Sequence, residues 1–180
     1  MTTDLDARPA HAVSLRNLYY VRFAFAAAWA GLLVASGAAI GPLGAALLVL
    51  YPLFDVAAAV VDFRASTENR PALYVNMALS LLAAAGLGFA AASGLPAVLR
   101  VWGAWAITAG VVQLVVAIRR RRLGGQWPQI LSGAISTLAG TGFILQSGGD
   151  AAALTGLAGY ATVGGLFFLA SAIRLHRKAK

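Results

Sequence analysis

The chain has 180 residues, 60% of them hydrophobic and only 11% charged, with a mean hydropathy of +0.78. Soluble domains carry about 25% charged residues, so this composition is that of a membrane protein. Cysteine is absent, which excludes disulfides, thiolate nucleophiles and cysteine-bound metals.

The net charge of +8 comes from 14 basic and 6 acidic residues. No basic, aromatic-interleaved surface stands apart from the apolar runs, so the excess does not read as nucleic-acid binding. It fits basic loops retained on the cytoplasmic side of a membrane, with the anionic leaflet as partner.

Residues 1–17 are polar and mixed, contain Pro9 and His11, and read as a cytoplasmic tail, irregular or lying on the membrane surface. A cleaved signal needs a short apolar core directly behind a basic start. Here the first apolar run opens only near Leu18 and continues as a full span to about residue 38, with Tyr19 and Tyr20 as interfacial anchors. A turn at Gly41-Pro42 leads to a second span over 43–63. A charged loop with Arg64, Glu68 and Arg70 precedes the third, 71–92. Ser93-Gly94-Leu95-Pro96 turns the chain into the fourth, 97–118, which ends on Arg119 to Arg122 and Gly124-Gly125. The fifth covers 127–146, a turn spans 147–150, the sixth covers 151–173, and residues 174–180 form a basic tail. Each run is close to the roughly 20 apolar residues that cross a hydrocarbon core.

The arginines predict orientation. Arg8, Arg16, Arg64, Arg70, Arg119 to Arg122, Arg174, Arg177, Lys178 and Lys180 fall on one side, with Arg22 just inside it. Only Arg100 lies near the other face, where Asp150 is the sole acid. By the positive-inside rule both termini are cytoplasmic, as expected of a protein of the plasma (inner) membrane.

The even-numbered spans end alike, on Arg64, Arg119 and Arg174, at a constant interval of 55 residues, and Gly110 and Gly165 coincide under the same shift. Ala85-Gly86-Leu87-Gly88-Phe89 matches Ala139-Gly140-Thr141-Gly142-Phe143 with a one-residue slip. Shared composition of alanine-rich membrane helices is the plainer explanation; equal spacing favours three helical hairpins, 18–63, 71–118 and 127–173, inserted in the same direction. The expected fold is an all-α integral membrane protein, six transmembrane helices in three parallel-repeat hairpins.

Trp102-Gly103-Ala104-Trp105-Ala106-Ile107, then Gly110 and Gln113, then Ala117-Ile118-Arg119, resembles the HdeD-like acid-resistance membrane protein family. The resemblance implies paired membrane helices, glycine-containing spans that close on basic loops, and an inner-membrane role in acid or general stress. It brings no catalytic residues and no cofactor.

Asp55 is the sharpest single residue. It precedes Arg64 by nine positions, so at about 1.5 Å per residue it lies roughly 13 Å inside its helix end. A carboxylate near the midplane costs about 2.5–3.5 kcal/mol on an insertion scale, so it must be paired, protonated or wet. Pro52, one turn earlier, leaves the Leu48 carbonyl without its helical donor. Asp55 is either a coupling carboxylate or a packing contact to Asn76 or Gln113. Asp62 lies two turns further along the same face, and Arg22 at similar depth on the first span is its expected partner, with Asp55 as the other choice. Arg22, Asp55, Asp62, Asn76 and Gln113, joined by Gln129 and Ser132, either line a polar vestibule or form ordinary interhelical hydrogen bonds.

Arg100 is expected to snorkel outward with Trp102 and Trp105 as interfacial belt residues, and Trp127 to anchor the opposite side. His11 and His176 fall in the tails, and no histidine–carboxylate cluster has metal-ligand spacing. No nucleophile–base set or phosphate loop assembles, so no enzyme, cofactor or metal is expected. The leading expectation is a non-enzymatic stress-resistance membrane protein, as one bundle or a homo-oligomer. The alternative is a small proton-coupled or small-solute transporter or channel that uses Asp55.

Overall fold

A computed structural model describes residues 3–37, 39–66, 70–149 and 153–178, with side chains from Val13 to Arg177. Glu68, Asp150 and Lys180 lie outside the described residues, as do the side chains of Arg8, Pro9, His11 and Lys178. Six α-helices follow in order: α1 Thr3–Ala35, α2 Pro42–Ala65, α3 Arg70–Ser93, α4 Leu95–Arg119, α5 Trp127–Gln146 and α6 Leu154–Lys178. A 3-10 turn, Arg121–Leu123, follows α4. All six are long and apolar enough to cross a membrane, α1 through Val13–Ala35 and α6 through Leu154–Arg177.

Local chemistry sets the ends. Pro42, Pro96 and Pro128 stand at the first or second position of α2, α4 and α5, where a missing N–H costs no intrahelical bond. α1 begins at Thr3, well before the expected start of the first span. α6 begins at Leu154 and runs through the basic tail to Lys178. Arginine and lysine are good helix formers and complement the negative end of the helix dipole, so the tail has no reason to unwind.

The outer surface identifies the solvent. Leu82 and Phe89 on α3 and Leu138 and Leu145 on α5 expose 70%, 80%, 73% and 76% of their surface. Apolar side chains so exposed over long helices suit a hydrocarbon environment, where the backbone must satisfy itself internally. The chain is a multi-pass membrane protein by this criterion.

The helices form a closed ring, each packed on its neighbours in sequence and α6 returning to α1. Packing is most extensive at α4–α5, α1–α6 and α2–α3, and slightest at α1–α2 and α5–α6. The α4–α5 seam is backbone on backbone. A Cβ on Gly103 would stand 2.5 Å from the Gly140 carbonyl oxygen, and one on Gly110 would stand 2.8 Å from that of Gly133. Two glycines seven residues apart on each helix thus let the antiparallel pair touch, the small-residue contact that lipid favours.

The bundle's main core fills the half away from the arginine loops. Trp29, Leu33, Leu48, Leu87, Leu99, Trp102 and Leu157 are fully buried there. Trp29 stacks on Trp102 with centroids 5.4 Å apart, and Tyr51 packs against Trp102 and Trp105 at 5.4 and 5.9 Å. The Trp29 indole donates to the Leu47 carbonyl at 2.7 Å, in the turn that Pro52 loosens. Trp102 and Trp105 are therefore not belt residues; they are buried, at 0% and 6% exposure. α4 is apolar on every face, so hydropathy does not tell its bundle side from its lipid side. Trp127 is 72% exposed, as an interfacial anchor requires, and Arg100 is exposed and donates from Nε to Ser147 Oγ at 3.1 Å.

Gly103→Ala or Gly140→Ala forces a methyl group against a backbone carbonyl and is expected to lower stability by about 1–3 kcal/mol. Gly159→Ala, with nothing within 4 Å of the new Cβ, is expected to be neutral or mildly stabilising. Unfolding of the detergent-solubilised protein measures the contrast; equal effects at the three positions would contradict a glycine-dependent seam.

Candidate functional site

In the half of the bundle that carries the arginine loops, the helices enclose a cavity of ≈ 90 Å³. Its polar wall is built by helical phase. On α2, Asp55, Ala59 and Asp62 follow one another at four and three residues and so share a face. On α3, Leu73 and Asn76 stand on one face, with Ser80 a turn beyond. On α4, Gln113, Ala117 and Arg120 repeat the i, i+4, i+7 pattern, above a smooth strip of Ala109, Val112 and Val116. Tyr19 and Arg22 enter from α1, Phe168 from α6, Gln129 from α5 and Gln126 from the loop before it.

Asp55 is 6% exposed and fully engaged. Its Oδ1 accepts from Arg22 Nη2 in a short ion pair. Its Oδ2 accepts from Asn76 Nδ2 at 2.7 Å and Ser80 Oγ at 2.8 Å. Ser80 in turn accepts from the Trp105 indole at 3.0 Å, which ties the carboxylate to the aromatic core. The Arg22 guanidinium also lies over the Phe168 ring, 4.4 Å from its centroid, an attraction strengthened by desolvation.

Asp62 has a different partner from the one expected. It forms a two-pronged ion pair with Arg120, Nη1 to Oδ2 at 2.6 Å and Nη2 to Oδ1 at 3.0 Å. Arg120 Nη2 also donates to Ser66 Oγ at 3.2 Å. The expected Arg22–Asp62 bridge gives way to Arg22–Asp55 because a closer cation is supplied to Asp62 from the end of α4. Arg120 is the C-cap residue of that helix and only 3% exposed, unlike the arginines beside it that turn outward, such as Arg121 and Arg122.

The amides complete the wall. Gln113 Nε2 donates to Gln129 Oε1 at 2.9 Å, and Gln129 Nε2 donates to Ser171 Oγ at 3.0 Å, joining α4, α5 and α6. Tyr19 donates to Gln126 Oε1 at 3.3 Å while Gln126 Nε2 donates to the Gly124 carbonyl at 3.0 Å. Of the residues singled out from sequence, Arg22, Asp55, Asp62, Asn76, Gln113 and Gln129 all reach this one cavity. Asn76 is the packing partner expected for Asp55, whereas Gln113 bonds Gln129 instead. Ser132 is buried on α5 but is not among the lining residues. His176 sits near the surface with Nδ1 3.3 Å from Arg16 Nη1, and no group of three metal-ligating side chains occurs among the described residues.

Sequence reasoning missed Arg120, Tyr19 and Gln126. The Arg120 signal was present: it follows Gln113 by seven residues and so stays on the same face, whereas Arg119, Arg121 and Arg122 do not. Comparison of the chain with protein-family models, with curated proteins and with solved structures finds no match in any of the three.

Removing one member of a buried ion pair strands the other charge, at a cost of about 3–5 kcal/mol. Arg22→Ala and Asp55→Ala are each expected to destabilise the protein, and the double variant to be scarcely worse than either. Arg120→Ala and Asp62→Ala are expected to behave the same way. The crossed pair, Arg22→Ala with Asp62→Ala, is expected to be nearly additive. Unfolding in mixed micelles gives the coupling energies; a larger coupling in the crossed pair would refute the observed partnering.

Proposed function

We propose that this is a non-enzymatic multi-pass protein of the inner membrane, with both termini cytoplasmic, that admits a small polar solute from the cytoplasmic side into its ion-paired cavity and moves it across the membrane. One observation carries this reading. The polar and charged residues of five helices and a loop converge on a single cavity in the arginine-loop half, while the other half is packed with tryptophan, tyrosine and leucine. Polar space on one side and a dry plug on the other is what a transporter presents when its site belongs to one compartment. Asp55, paired yet bordering the cavity, is the carboxylate placed to couple solute movement to proton or ion movement.

The orientation rests on the arginine loops, which gather at the end where Arg120 and Gln126 lie. Three parallel hairpins are supported by the interval of 55 that relates Arg64, Arg119 and Arg174. Contacts support them too. Trp105 donates to Ser80 at 3.0 Å within the second hairpin, and Tyr160, 55 residues later, donates to Ser136 at 3.0 Å within the third. Gly110 and Gly165, equivalent under this shift, both sit at close helix approaches, and Asp55 occupies the matching place in the first hairpin.

A stress role is the second reading, favoured by the HdeD-like pattern of Trp102, Gly103, Trp105, Gly110, Gln113 and Arg119. It concerns when the protein is needed, and is compatible with solute movement.

In proteoliposomes, wild type is expected to carry proton-linked or small-solute flux that Asp55→Asn reduces by about tenfold or more; absent flux, or flux unchanged by Asp55→Asn, ends the transport reading. A deletion strain that survives acid and general stress as well as its parent removes the stress reading. Because the chain has no cysteine, topology is open to single-cysteine labelling. Gly148→Cys is expected to react with an impermeant maleimide in intact cells, and Arg122→Cys only after permeabilisation.

A further inference from the structure

The charges around the cavity cancel. Two guanidinium groups, Arg22 and Arg120, stand with two carboxylates, Asp55 and Asp62. A simple anion meets two cations and two competing carboxylates, and a simple cation meets the reverse. Either would leave net charge in a low-dielectric setting, where uncompensated charge is costly.

The hydrogen-bond capacities are unequal in a useful way. Each Arg has five donors and each carboxylate about four acceptor positions. Asp55 already accepts from three side chains. Among the described residues Asp62 accepts two bonds, both from Arg120, and keeps acceptor capacity. Among the described residues Arg22 makes one hydrogen bond, from Nη2 to Asp55, and its side chain is 20% exposed where it lines the cavity, so Nη1 keeps its donors. The cavity therefore borders spare acceptors at Asp62 and spare donors at Arg22. We infer that its ligand is a small zwitterion with a primary ammonium and a carboxylate, of the size of the smallest α-amino acids; the inference rests on the proposed solute-binding role and names its substrate class.

Size and shape agree. At roughly 10–15 Å³ of free space per water, ≈ 90 Å³ holds on the order of six non-hydrogen atoms. The strip of Ala109, Val112 and Val116 offers an apolar wall for a hydrogen or methyl side chain and no partner for a longer polar one. A quaternary ammonium is disfavoured. It has no N–H for Asp62, and it needs open aromatic faces, whereas the Phe168 face is already covered by Arg22.

The test is calorimetric titration and thermal unfolding of the full chain in nanodiscs of uncharged lipid, with glycine, L-alanine, acetate, methylammonium, glycine betaine and L-tryptophan as probes. Glycine and L-alanine are expected to bind and raise the unfolding temperature, at least about tenfold more tightly than the other four, because only they satisfy both signs within the available volume. Asp62→Asn is expected to weaken glycine binding by about tenfold or more, and Asp62→Glu by much less. Acetate or methylammonium binding as tightly as glycine overturns the zwitterion assignment, as does no binding of either amino acid to wild type. Urea and glycerol flux in proteoliposomes separates the two levels. If they pass while glycine does not bind, solute movement stands and the ligand class falls. If neither occurs, both fall.

Discussion

A charge inside a hydrocarbon slab must find an opposite charge or water, and this requirement organises the half of the bundle that carries the arginine loops. Asp55 draws Arg22 from α1, Asn76 and Ser80 from α3 and, through Ser80, Trp105 from α4. One carboxylate thus fixes the relative rotation of four helices. Apolar packing between membrane helices is weakly directional, because lipid tails solvate leucine as well as leucine does. Hydrogen bonds to a buried charge are directional and supply the register that packing leaves open.

The two halves of the bundle solve different problems. Away from the arginine loops, large aromatics interlock and leave little room. Toward the loops, long side chains from different helices meet in pairs, holding the walls apart as well as together. The short side chains of Ala109, Val112, Val116 and Ala117 on α4 keep that space from closing. The second, smaller cluster of Leu15, Tyr19, Phe168, Ala172 and Leu175 seals α1 against α6 beside the cavity.

Much of this was legible in the residues. Long apolar runs and the turn-forming Gly41-Pro42 and Ser93-Gly94-Leu95-Pro96 placed the helices, with α5 spanning the expected 127–146. The cost of burying Asp55 pointed to a polar cluster, and all five residues proposed for it line one cavity. Partner choice was not legible. Depth matched Arg22 to Asp62, and the decision lay with Arg120, hidden in a run of four identical residues whose only distinguishing property is helical phase. The tryptophans failed for a related reason: on a helix apolar all round, chemistry alone does not separate the lipid face from the core face. The glycine seam was visible as composition, but its pairing of Gly103 with Gly140 depends on which helices become neighbours.

The uneven packing around the ring has a mechanical consequence. Helices in close contact move together, and the ring is slightest at two boundaries, α1–α2 and α5–α6, which separate the α6–α1 pair from the run α2 to α5. Compliance is concentrated there, and Arg22–Asp55 crosses the α1–α2 boundary. Arg120–Asp62 ties α2 to the end of α4 inside the run. The first ion pair is thus a clasp between two bodies and the second a rivet within one. Whatever neutralises or replaces the clasp changes how freely the two bodies swing, without disturbing the packing inside either.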